Sequence, residues 1–273
     1  MHPTLSFPEL LARRTAQSAS VRFEITDDWL QGRTTFGGLI AACAVQAMRD
    51  VAAAGWPADV RLVALQTNFV GPVGLGPMDV SVHMLREGRN LRQLQATATQ
   101  QGQTAAVLLA VFGARRETAL PPLAPQQPSV TLQASDLPAL PFLPGITPNF
   151  TQHIDFRWAD GQPPFSGSDQ WHSRIYARLK QGAAPAELLT VMLADAAPTP
   201  ALSRLTQRNP ASSVTWALEL AAFDLDATRA DGHWRIDKDT RAADGGYVNE
   251  TTLLWTPCGR LAAHGYQVVA VYG

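Results

Sequence analysis

GRTTFGGLIAACAVQAMRD, residues Gly32 to Asp50, is the stretch around which the rest of the chain must fold. From Phe36 to Met48 it reads as a helix in which Gly37, Gly38, Ala41, Ala42, Ala44 and Ala47 alternate with Leu39, Ile40, Cys43, Val45 and Met48. A helix that is apolar nearly all round has to be buried. It is too short to span a bilayer, so protein must do the burying, and its small residues imply a sheet lying close against it. The Gly37-Gly38 pair would leave backbone N–H groups uncovered at the positive helix end. That suits a ligand oxygen as well as it suits tight packing, and makes both glycines candidate substrate contacts.

Working outward, Val21 to Ile25 reads as a first strand. After Gly55-Trp56-Pro57 the period changes from helical to alternating, with strand-like runs at Arg61 to Val70, Met78 to Arg86, Leu91 to Gln100 and Thr104 to Ala114. Glu87-Gly88-Arg89 and Gln101-Gly102 read as hairpin turns. The segment 117–148 carries eight prolines and little charge, so it reads as a linker draped over a surface. The same order of elements then returns. His153 to Trp158 and Gln170 to Leu179 are strands, Pro185 to Asp195 is a helix, and Ser212 to Ala221, His233 to Arg241, Val248 to Trp255 and Arg260 to Val271 are strands. Laid without gaps on the first half, the second puts Asp244-Gly245 on Glu87-Gly88, Gly259 on Gly102 and Leu261-Ala262-Ala263 on Thr104-Ala105-Ala106. Turns and strands kept in register point to an internal duplication. The class is α+β, and the expected organisation is an N-terminal unit 1–116, the linker, and a C-terminal unit 149–273.

At 273 residues and 46% hydrophobic content the chain can bury a large core. A net charge of -1 with no basic patch gives no footprint for nucleic acid or an anionic membrane. The first residues have no apolar h-region, so a soluble, cytoplasmic protein is expected, with a homo-oligomer open. Two cysteines, Cys43 and Cys258, make no disulfide framework. The chain contains no GxSxG, P-loop, HExxH or paired CxxC motif. His2, His83, His153, His172, His233 and His264 lack metal-ligand spacing. An enzyme built from these residues would work without metal or cofactor.

Three polar positions of the second half stand out. Asp195 follows Leu188, Val191 and Met192 at helical spacings of seven, four and three, so its carboxylate belongs to the apolar face, where burial raises a pKa and makes a candidate base. Gln267 shares the strand face of Leu261, Ala263, Gly265, Val269 and Val271, and a buried amide needs partners. Strand alternation puts Ser213 and Thr215 on one face of another strand, each a hydroxyl candidate. In the duplication Gln267 falls on Ala110, and no carboxylate lies between Gly32 and Arg49, so the chemistry is expected in the second half.

GRTTFGGLIAA, ALQTNFVGPV followed by MDVSVHMLREGRN, and ADGGYVNETTLLWTPCGRLAAHGYQVVAV resemble, in order and spacing, the double hot-dog acyl-CoA thioesterases of the thioesterase II type. The resemblance implies two tandem hot-dog units, each a long central helix wrapped by an antiparallel sheet. It also implies hydrolysis of an acyl-CoA thioester by a water that an Asp, a Ser or Thr, and a Gln hold and activate. Matched residue by residue, these are Asp195, Ser213 (with Thr215 as the alternative hydroxyl) and Gln267, and Gly37-Gly38 would offer backbone donors. The alternative from another class is a non-catalytic acyl-CoA or acyl-group binding protein. Where relatives often carry Arg-Pro after the second strand, this chain has Gly71-Pro72.

Overall fold

The structure, a computed structural model, describes residues 4–221 and 232–273, so that His2 lies outside the described residues. In chain order the elements are α1 (Phe7–Ala12), β1 (Thr15–Ala16), β2 (Ser20–Ile25), β3 (Leu30–Gln31), β4 (Thr34–Thr35), α2 (Gly37–Ala52), β5 (Arg61–Phe69), β6 (Gly76–Glu87), β7 (Leu91–Gln100) and β8 (Gln103–Gly113). After an irregular stretch come β9 (Ile154–Gly161), β10 (His172–Leu179), α3 (Ala186–Ala194), β11 (Ala211–Leu220), β12 (Trp234–Asp244), β13 (Tyr247–Trp255) and β14 (Leu261–Val271).

Twelve strands form one antiparallel sheet in the order β1-β2-β6-β7-β8-β5-β11-β14-β13-β12-β10-β9. The order reads the same from both ends once β6, β7 and β8 are equated with β12, β13 and β14, and β5 with β11. β5 and β11 meet at the centre, with Thr215 opposite Asn68 and Glu219 opposite Ala64. The turns that the duplication aligned do the same work in each half. Gly102 and Gly259 both take positive φ, 78° and 75°, where a side chain would strain the backbone. Within 117–148 the only regular piece is a single 3-10 turn at Ala134–Asp136. This stretch is tied to the second half by Leu140 N–H to the Phe156 carbonyl (2.8 Å) and by Arg157 to the Ala134 carbonyl (2.7 Å).

The sheet curls around α2, whose residues from Gly38 to Val45 are all buried, together with Ala47 and Met48. The reason is visible in the sequence: from Gly37 to Val45 the helix has no polar residue, and such a stretch has nowhere to go but the centre. The second helix departs from expectation in length. α2 has 16 residues and α3 only nine. Pro185 caps the start of α3, and beyond its end Pro198 disfavours helical backbone at Ala197. α2 and α3 pack on each other within a core that draws on both halves. At the far end of α2, Arg49 and Glu187 pair at 2.6 Å, and Glu187 also accepts the Leu62 N–H. Among the described residues no helix is long and apolar enough to cross a membrane.

The helix contact is closest at Gly38, where an added Cβ would lie 2.6 Å from the Met192 carbonyl oxygen and 2.5 Å from the Phe36 ring. A backbone oxygen cannot swing aside as a side chain can. Gly38→Ala is therefore expected to lower unfolding free energy by about 1–3 kcal/mol, measured by urea denaturation. Alanine's better helix propensity offsets at most about 1 kcal/mol of this.

Candidate active site

Asp195 is the C-terminal cap of α3, directly after Ala194 and in helical spacing with buried Leu188, Val191 and Met192, with φ -103° and ψ 0°. The helix thereby delivers its carboxylate to the start of α2. Oδ2 lies 2.7 Å from the point where a Cβ on Gly37 would stand, and the Gly38 N–H donates to the carboxylate. A side chain at either position would close the gap. The Phe69 ring borders the same point at 3.0 Å.

From the sheet side, β14 presents Gln267, 4% exposed. Its Nε2 donates one hydrogen to Asp195 Oδ1 (2.9 Å) and one to Ser213 Oγ (2.7 Å). Both amide hydrogens are thereby used, and the Ser213 hydroxyl hydrogen is left to donate elsewhere. The carbonyl end of the same amide accepts from Lys238 Nζ at 3.2 Å, and Lys238 is paired with Glu250 at 2.7 Å.

Ser213 reaches this face because β11 is bulged. Ser213 pairs with Val269 and Thr215 with Val268, so Val214 is the extra residue. Beyond it Trp216 pairs with Gln267, and Trp216 is buried. One inserted residue turns alternation over. The expectation that Ser213 and Thr215 share a face is therefore wrong: Thr215 is exposed on the other side of the sheet, and only Ser213 joins Asp195 and Gln267. Gly38 also differs from expectation, because its N–H is directed at the acid. Gly37 supplies space beside Asp195 Oδ2.

Burial pushes the Asp195 pKa upward. The Lys238 ammonium opposes the rise most, the Gln267 hydrogen bond next, while the Glu250 carboxylate adds to it and the Gly38 N–H opposes it; the net direction is up. A carboxylate with a raised pKa, tied through one amide to a hydroxyl, is a candidate general base.

Residues 25–113 match the family model for the acyl-CoA thioesterase N-terminal domain, and residues 133–271 match that for the C-terminal domain. The chain belongs to the acyl-CoA thioesterase family. This makes it a thioesterase, an enzyme that cleaves thioesters. Similar solved structures include a hot-dog-fold protein of unknown function from Alicyclobacillus acidocaldarius, 20% identical over 99% of each chain with a TM-score of 0.82. Another is the acyl-CoA thioesterase II TesB2 of Mycobacterium marinum, 16% identical over 98% of each chain with a TM-score of 0.75. At these identities the likeness establishes the hot-dog fold. No curated protein matches the sequence.

The thioesterase's buried pair Lys238 and Glu250 escaped the sequence reading, although a signal was present. Alternation along WRIDK sets Lys238 on the face of Trp234 and Ile236, and along VNETTLL it sets Glu250 with Val248, Thr252 and Leu254.

The raised pKa of Asp195 links the site to stability. A carboxyl group that holds its proton more tightly when folded stabilises the fold below its unfolded value of 3.8, and loses that contribution as pH rises through the higher folded value. Asp195→Asn does not titrate. Its stability relative to the parent should therefore increase as pH rises from 3.8 to the higher folded value and level off above it, as measured by denaturation at successive pH values. A flat difference would mean that the carboxylate is not destabilised by burial.

Proposed function

We propose that the chain is a double hot-dog acyl-CoA thioesterase. In this reading residues 1–116 and 149–273 form the two units, 117–148 joins them, and Asp195, Ser213 and Gln267 activate the hydrolytic water. The observation that carries the reading is the Gln267 amide donating to both Asp195 Oδ1 and Ser213 Oγ. One planar group thus spaces an acid and a hydroxyl at fixed separation, which is the positioning that turns a diffusing water into a bound nucleophile.

The water donates one hydrogen to Asp195 and accepts from the Ser213 hydroxyl. Gln267 fixes both partners, and its own N–H groups are already spent on them. Asp195 takes the water proton as hydroxide adds to the thioester carbonyl carbon. The negative oxygen of the tetrahedral intermediate turns to the N-terminal turn of α2 at Gly37, where backbone N–H groups and the helix dipole favour an anion. Collapse breaks the C–S bond. The thiolate leaves, taking the proton held by Asp195, and the products are a carboxylic acid and a thiol. A thiolate is a good leaving group because its conjugate acid has a pKa near about 8.5, so no covalent intermediate is required. A free carboxylic acid and CoA are the products when the substrate is an acyl-CoA.

A panel of acyl-CoAs with a free-thiol readout tests this. Release of CoA is expected for at least part of the panel, and a protein that only binds acyl-CoA releases none. Asp195→Asn should lose roughly a hundredfold or more in kcat, as expected for a general base. Affinity for a non-hydrolysable acyl-CoA analogue should survive. Ser213→Ala should lower kcat by about tenfold, the worth of one oriented hydrogen bond, whereas Thr215→Ala on the opposite face should leave it unchanged. Wild-type turnover by Asp195→Asn would sink the assignment of the base.

A further inference from the structure

Lys238 is 2% exposed, and the side chain of Glu250 is completely buried. A buried lysine on an otherwise apolar strand face costs desolvation, and packing alone does not call for it: similar-sized apolar residues in place of such a pair are often neutral or stabilising. Its surroundings suggest a use. Lys238 is opposite Thr252, Glu250 is opposite Gln267, and Gln267 is opposite Trp216, so the pair and the amide run diagonally across neighbouring strands on one face. The ammonium gives one hydrogen to Glu250 Oε1 (2.7 Å) and one to Gln267 Oε1 (3.2 Å).

We propose that Lys238, anchored by Glu250, is a positioning residue for thioester hydrolysis that fixes which way round the Gln267 amide stands. The proposal rests on the site reading given above. A glutamine amide can occupy its pocket in two orientations of nearly the same shape. An ammonium donates and never accepts, so only the carbonyl oxygen of Gln267 can face it. The NH2 group must then face Asp195 Oδ1 and Ser213 Oγ. Turned over, the amide would set NH2 against the ammonium and a carbonyl oxygen against the Asp195 carboxylate, which are two repulsive contacts in a poorly solvated place. Ser213 would lose its donor, and its hydroxyl hydrogen could turn back to the amide oxygen and away from the water. Glu250 has a part of its own, since without a carboxylate at that distance the ammonium is free to settle on another acceptor.

The same pair sets the field at the base. Around Asp195, α2 offers backbone N–H dipoles, β5 the Phe69 ring, β11 the Ser213 hydroxyl and β14 the Gln267 amide. The charged groups acting on it are Lys238 of β12 and Glu250 of β13, the first favouring the carboxylate and the second opposing it. Lys238 is the stronger influence of the two.

The test uses the intact chain and the acyl-CoA it turns over fastest. In Lys238→Met/Glu250→Leu neither charge is left stranded. Its kcat should fall by roughly tenfold or more with little change in KM, because an amide free to turn over leaves the nucleophile unheld in part of the molecules. The acid limb of its pH–rate profile should move to higher pH. Glu250→Gln, nearly unchanged in shape, should move that limb the other way. Thermal unfolding recorded alongside separates this role from a structural one, which would lower Tm and leave the limb in place. Wild-type kcat and an unmoved limb in the double variant would overturn the proposal, as would an unmoved or upward limb in Glu250→Gln should the double variant not fold. Asp195→Asn, run in parallel, separates the two readings. If it is inactive while the double variant behaves as wild type, only the role of Lys238 falls; if it retains full turnover, or if the parent releases no CoA, the site reading falls with it.

Discussion

The start of α2 can approach the end of α3 only because Gly37 and Gly38 have no side chains. A methyl group at Gly38 would meet the Met192 carbonyl, and one at Gly37 would meet Asp195 Oδ2. That contact joins the two halves beside Asp195. It brings the positive end of a long helix from one half against a carboxylate from the other, and the burial that raises the carboxylate's pKa is supplied by the same packing. Tight packing and ligand chemistry, which the glycine pair could serve separately, use one feature here: the gap that lets the helices close is the gap in which Asp195 sits.

The sheet completes the arrangement by keeping register across the seam between the halves. β11 pairs with β14 on one side and with β5 on the other. Gln267 and Ser213 therefore come from neighbouring strands, and Phe69 comes from the strand across the seam. The polar groups on this face form a connected chain from Glu250 through Lys238 and Gln267 to Asp195 and Ser213. Hydrogen bonds linked in this way hold their members in one arrangement, although Glu250 Oε2 is buried without a hydrogen-bond partner. The duplicated half has Ala110 in place of Gln267. It keeps the long helix and the sheet, and no polar chain comparable to that on β14 begins there.

Much of this architecture was legible without coordinates. The all-apolar helix, the two-residue period of the strands and the glycine turns are local signals, and local sterics and burial enforce them whatever surrounds them. Asp195 and Gln267 were legible for the same reason: a carboxylate on an apolar helix face and an amide on an apolar strand face each violate the pattern of their own element. Ser213 and Thr215 were placed on one face by alternation. A bulge at Val214 separates them and leaves only Ser213 bonded to Gln267; a bulge depends on what the neighbouring strand requires, so alternation cannot locate it. The length of α3 was overestimated because its apolar pattern runs through Asp195, whereas the helix ends at Ala194 and Asp195 serves as its cap.

By itself the sequence determined the order and kind of the elements, the burial of α2, the internal duplication and the half of the chain in which polar residues break an apolar pattern. Those are properties of single elements and of spacings along one strand or helix. Only the tertiary structure decided that Gly37 and Gly38 face Asp195, that Thr215 looks away from the site, and that Lys238 and Glu250 stand behind Gln267. Each of these is a relation between elements far apart in the chain. Hydrogen bonds and repulsions act over a few ångströms in space, and the pairing of strands and the packing of helices set those distances.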